Sequence, residues 1–261
     1  EVDRHLLDVR AALRHADERR DAAAMWSIVG SLATYFWYQG HLTEALDWLA
    51  RAEANDPGLD PALQVTGRTA AALLSTSVGV HEALVAACET ARDVARAAGD
   101  RAHEGRALIL LGAHQTFGDV AGGRPLIAAG RALCAEAGDD LWAAWADCSE
   151  GLASVFEGRP ATAIAQLDST EVTLVRSRSL RLRLDVDSRR VCAQFQLGAF
   201  AEARTTAATG LARAEGFAAI NIVATFHGVT AWIDALSGHP DRAQAAMRTA
   251  IGAYVRDGEL Q

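Results

Sequence analysis

Half of the 261 residues are hydrophobic, which excludes a disordered chain. Alanine and leucine dominate that half, while aromatic and β-branched residues are few, which argues against a strand-rich fold. The formal net charge is −8 and every cation is arginine, so the chain lacks the broad basic face of a nucleic-acid ligand, and direct nucleic-acid binding is not expected.

Taken in chain order, the elements read as helices throughout. A first helix is expected over 2–18. Six helix pairs follow, at 21–39 with 41–55, 60–78 with 80–98, 100–117 with 119–137, 139–157 with 159–176, 180–197 with 199–215, and 217–237 with 239–256. Apolar residues recur at three- and four-residue spacing, as in Leu42, Leu46 and Leu49, or Ala161, Ile164 and Leu167. The expected units are 1–20, then 21–58, 59–99, 100–138, 139–178, 179–216 and 217–261, within a single domain.

One glycine marks the period: Gly40, Gly79, Gly118, Gly158, Gly198 and Gly238, at intervals of 39, 39, 40, 40 and 40 residues. Small residues recur around it. Ala45, Gly123, Ala163, Ala203 and Ala243 stand five positions after, and Ala52, Ala91, Gly130, Thr170, Gly210 and Ala250 twelve after. Small residues at fixed offsets let two helix backbones approach closely. The glycine itself suits the left-handed position that ends a helix. A second punctuation falls between pairs, at Asp56-Pro57-Gly58, Gly99-Asp100, Gly138-Asp139 and Gly216, with Asp100 and Asp139 as N-caps.

Residues 29–57 resemble the tetratricopeptide repeat: Val29, Leu32, Ala33 and Phe36, then Ala45, Leu49, Ala52 and Pro57. The resemblance implies a right-handed superhelical solenoid of about 13 helices, all-α, with helix pairs longer than the usual repeat. A narrower resemblance covers the first 55 residues. Glu1-Val2-Asp3, Leu6 to Arg14, and Ser31 to Ala54 (SLATYFWYQGHLTEALDWLARAEA) look like the start of the helical-repeat region of STAND-class, LuxR-type bacterial transcriptional regulators. That family places an ATPase module before such repeats and often a DNA-binding domain after them. Both would be partners in a longer chain, of which this one reads as a piece because it starts inside a helical pattern. The implied role is a non-catalytic sensor that binds a small-molecule inducer or a protein in its concave groove. A generic peptide-binding adaptor is the alternative.

Catalytic patterns do not emerge. There is no G-x-S-x-G, no H-E-x-x-H and no phosphate loop, and the eight histidines are scattered, so neither an enzyme nor a cofactor or metal is expected. The four cysteines, Cys88, Cys134, Cys148 and Cys192, form no Cys-x-x-Cys pair and read as small buried hydrophobes in a reducing, cytoplasmic setting. No apolar run reaches bilayer length, so no membrane partner is expected. Groove candidates come from the first helix of each pair. Trp37 and Tyr38 either pack against the first helix or form one wall. Trp145, Phe195 and Trp232 either fill the core between repeats or continue an aromatic strip. Asp185, Ser188, Arg189 and Gln196 are the polar candidates, within an arginine cluster that includes Arg176, Arg178, Arg181, Arg183 and Arg190 and reads as a solvated face or an anion site. Weak self-association through an uncapped end is expected.

Overall fold

The computed structural model describes the backbone over residues 2–76, 81–215 and 220–256, and side chains over 6–76, 82–215 and 222–252. The calls on Gly79, Gly216 and Glu1 lie outside the described residues. Fourteen α-helices run in order: α1 Val2–Glu18, α2 Ala22–Gln39, α3 Leu42–Asn55, α4 Pro61–Ser75, α5 His81–Ala97, α6 Arg101–Gln115, α7 Val120–Glu136, α8 Asp140–Phe156, α9 Pro160–Asp168, α10 Glu171–Ser177, α11 Leu180–Gln196, α12 Phe200–Ala214, α13 Ile220–Leu236 and α14 Pro240–Arg256. No strand occurs among the described residues.

The packing is that of an all-α repeat solenoid. Helices α2, α4, α6, α8, α11 and α13 each lie against the next and form an inner row. Helices α3, α5, α7, α9 and α12 each fill the space between two inner helices. α1 packs on α2 and α3, in the place an outer helix would take before the first pair. The outer helices bury one narrow stripe, Ala45, Leu49 and Ala52 on α3 and Ala203, Ala207, Gly210 and Ala214 on α12, whereas the inner helix α6 is buried all round from Ala107 to Gly112.

Turns between helices are almost without length, because one backbone motif is reused. Gly40, Gly99, Gly138, Gly158, Gly198 and Gly238 all adopt φ between 68° and 78°. The residue after each closes back across the turn: His41 N–H donates to the Phe36 carbonyl (2.9 Å), Asp100 to Ala95 (2.9 Å), Asp139 to Cys134 (2.8 Å) and Arg159 to Ser154 (2.8 Å). This satisfies the last carbonyls of one helix. In the Gly-Asp junctions the aspartate then opens the next helix. Asp100 accepts from His103 N–H and Asp139 from Trp142 N–H.

Three sequence expectations change. Gly118 is not among the left-handed glycines; the chain there leaves α6 through an Asp119 N–H to Gln115 carbonyl bond (2.8 Å), and Asp119 caps α7. The helix expected over 159–176 is broken into α9 and α10. There the Ser169 hydroxyl donates to the Gln166 carbonyl (2.6 Å) and the Thr170 hydroxyl to Leu167 (2.7 Å), competing with the helical ladder. The helix count therefore rises from 13 to 14. Finally, Arg20 and Arg178 occupy left-handed backbone (φ 55° and 52°) where the other junctions use glycine.

The closest helix crossing is between α6 and α7. A Cβ on Gly112 would lie 2.7 Å from the Gly123 carbonyl oxygen, and one on Gly105 2.7 Å from that of Gly130. No side chain can yield there, because the obstacle is backbone. Gly112→Ala is expected to cost about 1–3 kcal/mol in a urea melt, whereas Gly118→Ala, with open space around it, should change stability by less than about 0.5 kcal/mol. Relief of the left-handed arginine makes Arg178→Gly stabilising by up to about 1 kcal/mol, read as a rise in Tm.

Candidate ligand site

Helix α11 carries the charged part of the site. Ser179 caps it, accepting from Leu182 N–H, and Arg181, Asp185 and Arg189 then follow at four-residue intervals on one face. The Arg189 Nη1 donates to Asp185 Oδ1 (2.7 Å) and to the Asp185 carbonyl (2.8 Å). The Ser188 hydroxyl donates to the same carbonyl (2.9 Å). On the other carboxylate oxygen, the Trp145 indole N–H from α8 donates at 3.1 Å, while Arg181 Nε stands 3.8 Å away. Asp185 is thus engaged by Arg189 and Trp145, and Arg181 is left without a hydrogen bond from it.

What holds Arg181 is two indole rings. Its guanidinium carbon lies 3.8 Å from the ring centroid of Trp37, on α2, and 4.7 Å from that of Trp145. Trp142 meets Trp145 edge-on at 4.2 Å, and Arg106 lies 5.7 Å over Trp142. Five groups from four inner helices (Arg106, Trp142, Trp145, Arg181, Trp37) therefore form one continuous stack across the inner face. The Arg181 backbone hydrogen-bonds the Tyr38 phenol, so the first pair also touches the start of α11. Burial raises the Tyr38 pKa above the ordinary tyrosine range.

The two guanidiniums are almost out of water. Side-chain exposure is 12% for Arg181 and 13% for Arg189, and that of Asp185 is 9%. The Nε and Nη1 of Arg181 and the Nε of Arg189 are buried without a hydrogen-bond partner. Burial pulls the Arg181 pKa down from the usual arginine value, with the Asp185 charge opposing. A cavity of about 150 Å³ opens beside them. Its walls are apolar (Ile109, Leu110, Leu152, Ile222) and aromatic (Trp37, Trp145, Phe117), with Thr76, His114 and Ser149 as further polar groups. A second cavity of about 120 Å³, between Leu73, Leu141 and Trp142, has Trp145 and Arg181 in its wall too.

Of the expected groove residues, the structure brings Trp37, Trp145, Asp185 and Arg189 to one cavity, with Tyr38 and Ser188 directly behind it. It places three others elsewhere. Gln196 spans to the Val155 carbonyl (2.9 Å) and ties α11 to α8. Phe195 packs on Phe200 and on Trp232 (5.8 and 5.6 Å), and Trp232 is 53% exposed. The residue that the sequence reading undervalued is Arg181, counted there only within an arginine cluster. The signal was present: Arg181, Asp185 and Arg189 share a helix face, whereas Arg183 pairs with Glu171 and Arg190 with Asp168 away from the cavity. Among the described residues no group of three metal-ligating side chains converges, and no helix is long and apolar enough to cross a membrane. The chain matches no family model, and no curated protein matches it.

Removing Asp185 leaves two buried guanidiniums facing each other. Asp185→Ala should cost about 3–5 kcal/mol in chemical denaturation. The cysteines are free, and burial pushes the thiols of Cys88, Cys134 and Cys148 up to about 12 and that of Cys192 to about 11. At pH 8 the native chain should react slowly with Ellman's reagent, Cys192 first, and release all four thiols at once after unfolding.

Proposed function

We propose that this chain is a non-catalytic sensor and interaction scaffold, the regulatory repeat region of a bacterial STAND/LuxR-type transcriptional regulator, and that it takes up a small-molecule inducer on its inner face. One observation carries the binding reading: Trp37 from the first pair, Trp145 from the fourth and Arg181, Asp185 and Arg189 from the fifth converge on a single cavity holding unsatisfied cationic N–H groups. Packing alone favours satisfied polar groups, whereas a binding site keeps donors for its ligand. The link to transcription rests on the sequence resemblance of residues 1–55. An ATPase module and a DNA-binding domain in the same polypeptide are the partners that resemblance implies.

The mechanism follows from where the cavity sits. A ligand there touches the first, fourth and fifth pairs together, so its binding energy depends on their relative placement. It therefore favours one arrangement of the array over another, to the extent that its affinity for the two differs. The carboxylate of the cavity is already engaged by Arg189 and Trp145, which supports a binding role for it.

A second reading, a protein-binding adaptor, is favoured by a different surface. Phe156, Leu197 and Leu236, at the ends of successive inner helices, are 47%, 51% and 67% exposed.

Native mass spectrometry of the chain, purified gently from its source cells, separates the two. A discrete small-molecule adduct, lost on denaturation and missing from Trp145→Ala, is the expected result. A chain that carries no adduct and instead retains a protein, released by Phe156→Ser with Leu197→Ser, would move the function to the exposed edge.

A further inference from the structure

We infer that the inner-face ligand is a small organic monocarboxylate with a compact apolar body, its carboxylate held by Arg181 and Arg189 and its body stacked against Trp37 and Trp145. This rests on the cavity-binding reading above and specifies the chemistry that the cavity selects.

Charge comes first. The cavity wall holds two guanidiniums against one carboxylate, a balance of +1. Asp185 makes its direct hydrogen bonds with Arg189 and Trp145, at 2.7 and 3.1 Å, and stands 3.8 Å from Arg181. Asp185 is therefore shared by two guanidiniums, hydrogen-bonded to Arg189 and only ion-paired with Arg181. A buried charge without a hydrogen-bonded counter-ion is expensive, and an incoming anion removes that cost, whereas a neutral or cationic ligand leaves or worsens it. A monoanion matches the balance; a dianion overshoots it in a pocket with few other donors.

Shape comes next. A guanidinium offers parallel N–H donors that suit the two oxygens of a planar carboxylate. The two indoles hold the Arg181 guanidinium in place, and its Nε and Nη1 have no hydrogen-bond partner. The cavity of about 150 Å³ is the size that admits a benzene-sized body. Its remaining walls are mainly apolar (Ile109, Leu110, Leu152 and Ile222), and the Thr76 and Ser149 hydroxyls among them already donate to the Leu73 and Trp145 carbonyls. A sugar or an extended peptide would leave polar groups unpaired there.

Ligand-observed fluorine NMR tests this, with 4-fluorobenzoate, its isosteric 4-fluorobenzamide, and inorganic phosphate as competitor. The expected result is binding of 4-fluorobenzoate, with the amide weaker by about tenfold or more. Phosphate should not displace the carboxylate at equal concentration. Arg181→Gln should lose about tenfold or more in affinity, and Arg181→Lys, which keeps the charge but not the fork, should fall between; circular dichroism checks that both fold. Equal binding of the amide would overturn the carboxylate assignment while leaving a ligand cavity in place. Displacement by phosphate would overturn the apolar-body part. Unchanged affinity in both folded Arg181 variants would put the anion elsewhere. No binding by 4-fluorobenzoate would also overturn the assignment, and the native mass measurement then tells whether the cavity reading falls with it: an adduct of other chemistry keeps that reading, and a bare, adduct-free chain removes it.

Discussion

The architecture depends on how closely two helix backbones can lie. At the α6–α7 crossing, glycine faces backbone carbonyl in both directions, with Gly105 against Gly130 and Gly112 against Gly123. Elsewhere alanine plays the same part, with Ala45, Ala163 and Ala203 fully buried at the equivalent position. Close approach at a fixed offset, repeated every 39–40 residues, gives each pair nearly the same rotation relative to the last. The array brings Trp37 and Arg181 within stacking distance although three helix pairs lie between them. The placement of the cavity walls thus depends on the spacing of small residues, such as Gly130 behind Ile109.

The charged groups divide by the same geometry. On the outer surface, arginines bridge neighbouring helices in ordinary ion pairs: Arg10 with Glu44, Arg68 with Glu53, Arg131 with Asp147. Such pairs contribute little each. Deeper in, buried acids keep a cation of their own, as Asp187 does with Arg213 and Asp234 with Arg204. At the inner face Arg181 and Arg189 share one acid, Asp185, and the Trp37 and Trp145 rings supplement it at Arg181. Aromatic faces attract a cation through their quadrupole without neutralising it, which keeps Arg181 ordered and still charged.

Much of the fold was legible in the sequence, because glycine and small-residue spacing records backbone constraints directly. The helix ends fell within a few residues of Gly40, Gly158, Gly198 and Gly238 for that reason. What escaped was whatever depends on competition or on accumulation. Ser169 and Thr170 look like tolerable helix residues until their hydroxyls take carbonyls from the ladder. Gly118 keeps the period without the conformation that Gly40, Gly158, Gly198 and Gly238 share. Trp37 and Asp185 could be named as facing inward from their register, but that they meet across one cavity follows from summed rotations that no local window contains. Gln196 and Trp232 show the converse: they have the right register, yet sit where the inner row carries them away from the convergence.

The Gly-Asp junctions have a mechanical consequence. Asp100 and Asp139 each close one helix and open the next, so only two further residues, Ala98-Gly99 and Ala137-Gly138, lie between the helices there. A linker absorbs strain by changing its own dihedral angles; a junction of this kind has almost none to spare. Torque applied at one helix pair must therefore pass to its neighbour as tilt, much as in a coiled spring whose turns are welded and cannot slip. Pulled from its two ends, such an array should lengthen elastically at low force and then lose whole helix pairs in discrete steps.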